Sequence, residues 1–218
     1  LSPSSAASDV YKRQVAQARA AGVKIQFVDR SVLDRESVTK RHQGFIARAT
    51  EFDYCEIEDI LDEGKRRGED SFVVILDGIE DPHNLGSILR VCECAGVHGV
   101  IIPKNRAASV NDTAVRTSAG ASQYVKVARV ANLSNAIATL KKAGLWVFCA
   151  DMDGREITEC NLKGPLALVV GGEDRGVSRL VRENCDGAVS LKMKGKINSL
   201  NASVACGVAV YEALRQRG

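Results

Sequence analysis

The chain has 218 residues, 45% of them hydrophobic and 26% charged, with a formal net charge of +3. That is the composition of one ordinary globular domain or two small ones, with enough apolar surface to bury a core. The small net charge excludes a uniformly basic nucleic-acid binder, so contact with RNA or DNA must come from a local patch. No apolar run approaches the roughly 18 residues that a membrane span needs, and no membrane partner is expected. The cysteines, seven in number, form no CxxC pair. They read as reduced, mostly buried thiols of a cytoplasmic protein rather than a disulfide framework. With three histidines and no ligand spacing, no metal site is expected.

In chain order, the Ser- and Ala-rich stretch Leu1 to Gln14 differs in character from the rest of the chain. It is expected to be a non-native or disordered leader, outside the fold. The Ala-rich run from Val15 predicts a helix closed by Gly22. Val23 to Asp29 alternates like a strand, short helical turns come next, and a second strand is expected within His42 to Phe52. The next segment, IEDILDEGKR, begins acidic and ends basic, as a helix complementing its own dipole does. These elements, residues 15–63, predict a small α/β unit that has lost its beginning. The polar stretch Gly64 to Asp70 is the candidate linker.

From residue 71 on, buried strands alternate with helices. FVVILD (Phe72 to Asp77), GVIIP, LWVFCA and LALVVG are the strands; a helix from Asn84, one over NLSNAIATLKKAG, a short SRLVRENC and a long one running to the C-terminus are the helices. Such alternation predicts an α/β fold with a mainly parallel sheet.

Three segments carry the chemistry. The first, DGIEDPHNLGSILR, runs from Asp77 to Arg90 at the C-terminal end of a strand, where ligands bind in open α/β sheets. Asn84 either caps the helix or faces the cleft, and Arg90 either makes a surface ion pair or serves a site. The second, LVVGGEDRG, ends a buried strand in two glycines and Glu173; glycines let a ligand approach the backbone. No phosphate-loop pattern occurs, and the missing GxGxxG argues against a nicotinamide-dependent enzyme. The third, LKMKGKINSLNASVACG, places Ser199, Asn201 and Ser203 at the start of the last helix; Ser199 as its cap is the plain structural reading, which leaves Asn201, two residues on, not needed for capping. Lys192, Lys194 and Lys196 make a local basic loop beside it, suited to a phosphate backbone.

In order and spacing these segments resemble the three signature motifs of the SpoU (TrmH) branch of the SPOUT methyltransferases, over about Phe72 to Arg217. The preceding DRSVLDRES and HQGFIARA resemble the end of the small RNA-binding domain of the bacterial 23S ribosomal RNA guanosine 2′-O-methyltransferases of that branch. The resemblance implies a knotted catalytic domain, residues 71–218, with a C-terminal trefoil, working as a homodimer. It implies S-adenosylmethionine as cofactor, held by loops at Gly171, Leu191 and Leu200. It implies Asn84, Arg90, Glu173, Ser199 and Asn201 as active-site residues, and a ribose 2′-hydroxyl of RNA as methyl acceptor. Arg90 would be the general base, or would stay cationic and hold ribose and phosphate while water takes the proton. Two positions depart from the family pattern: Leu191-Lys192-Met193 stands for the usual Ile-Pro-Met, and Asp174 for a frequent glycine. A transfer RNA substrate and a non-catalytic RNA-binding role on the same fold are the alternatives.

Overall fold

The computed structural model describes residues 3–20, 22–23, 25–37, 42, 44–46 and 52–218. The apolar runs form one sheet of six strands: β1 (Phe72–Asp77), β2 (Gly99–Pro103), β3 (Lys126–Val130), β4 (Trp146–Glu156), β5 (Leu166–Gly171) and β6 (Gly187–Ser190). Their order across the sheet is β3-β2-β1-β5-β4-β6, and all the pairings are parallel. Successive side chains of a strand point to opposite faces. In β1, Phe72, Val74 and Leu76 enter one core while Val73 and Ile75 enter the other. Burial on both faces explains why the run is continuously apolar rather than alternating.

Helices α4 (Pro82–Cys94), α5 (Asp112–Thr117) and α8 (Ala202–Arg217) cover the first face. The second face is covered by α3 (Ile57–Arg67), α6 (Leu133–Lys142) and α7 (Arg179–Asn184). From β1 the chain builds outward through β2 and β3, then returns to lay β5 on the other side of β1. The switch in strand order therefore falls between β1 and β5, whose last residues, Asp77 and Gly171, are register partners. Ligands of open parallel sheets bind outside the strand C-termini at that point.

Several expectations are corrected. The chain divides into two compact units between Thr50 and Glu51, not at Gly64 to Asp70. The reason is α3: Ile57 and Ile60 are buried in the second core, and a Cβ on Gly99 would come within 2.6 Å of the Ile60 side chain. Burying a residue of that size stabilises by about 1.5–3 kcal/mol, so α3 belongs with the sheet. In the first unit, α1 spans Pro3–Ala20 and so crosses the expected boundary at Gln14. The described residues of Val23 to Asp29 form no strand; Asp29 instead precedes the helix α2 (Arg30–Glu36). Alternation gives a strand only where a neighbour takes up its backbone N–H and C=O groups. The strand expected within His42 to Phe52 lies mostly outside the described residues. In the second unit, α5, β3 and β6 go beyond the expected elements. The cysteines are all free; Cys92, Cys149 and Cys206 are buried, Cys55, Cys160 and Cys185 half-buried, and Cys94 exposed. No described helix is long and apolar enough to cross a membrane.

Candidate active site

The site is built on helix starts. Pro82 stands in the first turn of α4 and Asp81 is the N-cap, its carboxylate accepting from the His83 N–H at 2.9 Å. Proline suits the first helical position because its missing N–H would be unpaired there anyway. Asn84 therefore lies inside the helix, not at its cap, and its amide is not used in capping. A second correction falls at α8. Asn201, not Ser199, is the N-cap, its Oδ1 accepting from the backbone N–H groups of Ser203 and Val204.

With their own helices served this way, Asn84 and Asn201 meet at Glu173. Glu173 Oε1 accepts from Asn84 Nδ2 at 3.1 Å, from Asn201 Nδ2 at 2.6 Å and from the Ala202 N–H at 3.2 Å. Asn201 Nδ2 also donates to Asn84 Oδ1 at 2.9 Å. Three segments far apart in sequence are thus tied through one carboxylate oxygen. Hydrogen bonds to an ionised acceptor are about twice as strong as neutral ones.

The loop carrying Glu173 is anchored to β1. The Gly172 N–H donates to the Asp77 carbonyl at 2.9 Å, the Ser178 N–H to Asp77 Oδ2 at 2.8 Å, and the Gly176 N–H closes the loop on the Gly172 carbonyl at 2.8 Å. Asp77 thus positions the loop, a part that the motif resemblance does not single out; its place as last residue of a buried strand, before Gly78, is the available signal. Gly171 is required by contact: a Cβ there would collide with the backbone of Gly176 and Val177. Gly171→Ala is expected to cost about 1–3 kcal/mol through overpacking, read as a lower thermal midpoint; an unchanged midpoint would contradict this packing.

Beside the Glu173 cluster lies a pocket of about 380 Å³. Gly171, Leu191, Met193, Ser199 and Leu200 line it with Asp151 and Met152, so the structure brings Gly171, Leu191, Leu200 and Ser199 together. Its size and its mixture of apolar walls, backbone and few polar groups suit a small organic ligand. On the other side of the 172–176 loop opens a larger cleft of about 1070 Å³, which Asn84 and Glu173 also line. Lys192 turns away to pair with Glu156 at 3.1 Å and holds its carboxyl below the usual carboxylate range. Arg90 is not brought to the cluster. It is exposed and lines neither cavity, because six residues along a helix turn a side chain roughly 120° off Asn84 and about 9 Å onward.

Residues 71–211 match the model of the SpoU rRNA Methylase family, and residues 2–55 match the model of RNA 2′-O ribose methyltransferase substrate binding. The chain belongs to the SpoU rRNA methylase family. It is an RNA methyltransferase of that family. A TrmH family tRNA/rRNA methyltransferase of Bacillus subtilis is 44% identical over 202 residues, 92% of this chain and 80% of the relative. The 23S rRNA (guanosine-2′-O-)-methyltransferase of Vibrio parahaemolyticus is 42% identical over 200 residues, 90% of this chain and 79% of the relative. Against a tRNA/rRNA methyltransferase of Synechocystis, 37% identical, the chain spans 54% of the relative's length. Among solved structures, the AdoMet-bound rRNA methyltransferase of Sinorhizobium meliloti aligns at a TM-score of 0.75 with 25% identity, over 94% of this chain and 77% of that one. The SpoU methyltransferase AviRb of Streptomyces viridochromogenes, in complex with AdoMet, aligns at 0.64 with 29% identity, over 67% of this chain and 58% of that one.

Proposed function

We propose that this SpoU-family chain methylates a ribose 2′-hydroxyl in RNA, with a guanosine of large-subunit (23S) ribosomal RNA as its target. The observation that carries the reading is the meeting of Asn84 and Asn201 at Glu173, which itself lines the 380 Å³ pocket. The match of residues 2–55 to a substrate-binding model and the guanosine-modifying Vibrio relative support the target. The combined tRNA/rRNA naming of the Bacillus relative keeps transfer RNA as the second reading.

S-adenosylmethionine supplies an electrophilic methyl sulfonium when bound. Gly171, Leu191 and Leu200 would hold it by backbone, with Asp151, Met152 and Met193 beside them. The Glu173 carboxylate fixes the amides of Asn84 and Asn201. Asn84, which lines the larger cleft, then orients the acceptor hydroxyl there. Ser199, on the wall of the smaller pocket, shapes it. Holding the oxygen in line for attack supplies much of the acceleration. Arg90 meets the acceptor from a second subunit. Guanidinium groups keep their proton in proteins, so the version we favour has Arg90 hold ribose and phosphate while water takes the hydroxyl proton.

Two further features belong to this reading. Val204, Val208 and Tyr211 leave an exposed apolar stripe on α8 (50%, 46% and 50% exposed), and α4, which carries Arg90, packs beside it, Val91 facing Gly207. A homodimer burying the stripe puts Arg90 at its seam. And although β6 lies at the sheet edge, α8 returns to pack on β5, α4 and the 157–159 turn, its Gln216 accepting from the Leu162 N–H at 3.0 Å. A return of this kind is what a trefoil knot requires. Calorimetric titration with S-adenosylmethionine tests the reading. We expect saturable micromolar binding at about one per subunit, since linkage to the folded state needs a formed pocket; no binding to folded protein would contradict it.

A further inference from the structure

The larger cleft is unlike a phosphate site. Asp77, Glu80, Asp81, Glu173 and Asp174 line it, against two cations, Arg106 and Arg175. Carboxylates at that density repel a phosphodiester, yet they accept well from the N–H donors on a nucleobase edge. No aromatic side chain lines the cleft. The flat groups available for stacking on a base are therefore the two guanidinium planes, and arginine stacks on bases as aromatic rings do.

Arg106 has a second distinction. It comes after β2 in the left-handed region, at φ 54, which among the described residues only one other non-glycine, Ala119, shares. Its side chain is exposed, and no hydrogen bond or ion pair is formed by it among the described residues. No local contact therefore explains an arginine at a position where glycine would be less strained. The cleft borders the smaller pocket across the 172–176 loop, with Glu173 lining both and Asn84 bonded to it on the cleft side. A nucleotide whose 2′-hydroxyl lies at that junction has its base within reach of the cleft.

We infer that the cleft takes the unstacked base of the acceptor nucleotide and that Arg106 stacks on it as a substrate-positioning residue. The inference rests on the ribose-methylation reading and adds where the base goes. The test compares wild-type protein with Arg106→Gly, which removes the guanidinium while relieving the backbone. Three readouts are taken: thermal midpoint, S-adenosylmethionine affinity, and methyl transfer to unmodified large-subunit ribosomal RNA transcript. The expected result is an equal or higher midpoint, unchanged cofactor affinity, and kcat/KM for RNA lower by about 10–100-fold. RNA affinity should fall without a change in its slope against salt, since a base contact releases no counterions. Full turnover in Arg106→Gly would overturn the inference and leave the methylation reading intact. A salt slope shallower by about one would make Arg106 a phosphate contact and overturn the base assignment. Cofactor binding without methyl transfer to ribosomal or transfer RNA by the wild type would overturn both readings.

Discussion

Arg90→Ala is expected to lower methyl transfer about 10²–10⁴-fold, with S-adenosylmethionine affinity unchanged to within about twofold because Arg90 does not line the smaller pocket. The structure sharpens the expectation. Arg90 lies on the exposed side of α4 and lines neither the 380 Å³ pocket nor the cleft of its own chain. On the proposed reading it acts across a subunit boundary, and that is testable. Two inactive variants, Arg90→Ala and Glu173→Ala, co-expressed with different tags, should complement each other. Random pairing makes half of the dimers mixed, and each mixed dimer holds one site with both residues intact. Activity should recover to about a quarter of wild type, as two-fold symmetry dictates. If Arg90 acted within its own chain, every site would lack one residue and no activity would return.

Glu173→Ala is the second large effect. It removes the oxygen that accepts from Asn84, Asn201 and the Ala202 N–H. Both amides then lose their common anchor, and displacements of about an ångström at a reacting centre cost on the order of 10²-fold. Glu173 also lines the smaller pocket, so cofactor affinity should fall with it, unlike in Arg90→Ala. Glu173→Gln keeps one acceptor oxygen without the charge and should fall between the two, since a neutral acceptor makes the weaker bond. The measurement is kcat and KM for each variant alongside calorimetric cofactor affinity. Wild-type turnover in Glu173→Ala would show that the three-way contact has no part in the reaction.

The strands legible in the sequence are those buried on both faces. FVVILD, GVIIP and LALVVG leave no choice of environment, and each is a strand of the sheet's interior. The strands that escape such a reading are the two edges: β3 reads KVARV, broken by charge, and β6 is the four residues GAVS. Edge strands are held by one neighbour and need little apolar surface, so composition alone does not mark them. The caps mislead for a different reason. Asn84 and Ser199 are good capping residues in isolation, but Pro82 already fixes the start of α4 at Asp81, and Asn201 makes two bonds to the first turn of α8. That shift of register decides the chemistry, because it frees Asn84 and aims Asn201 at Glu173.

At the site, Asn84, Glu173 and Asn201 are legible only through the resemblance of their three segments, in order and spacing, to the family motifs; singly, each reads as a helix start or a tight turn. Asp77 is not legible, since a terminal strand aspartate looks like a solvent-facing end until its two bonds to the 172–178 loop are seen. Arg106 gives no sequence signal at all. Its left-handed backbone depends on how the loop after β2 returns, with the Ala108 N–H donating to the Ile79 carbonyl at 2.7 Å.

The central claim is that the acceptor is a ribose hydroxyl of RNA. The most direct measurement incubates the protein with S-adenosylmethionine carrying a labelled methyl group and with large-subunit ribosomal RNA transcribed without modifications, then digests the RNA to nucleosides for mass spectrometry. The account predicts label in 2′-O-methylguanosine, at about one per RNA molecule, and its loss in Arg90→Ala. Label on a base, or none on RNA from a protein that binds the cofactor, would contradict it.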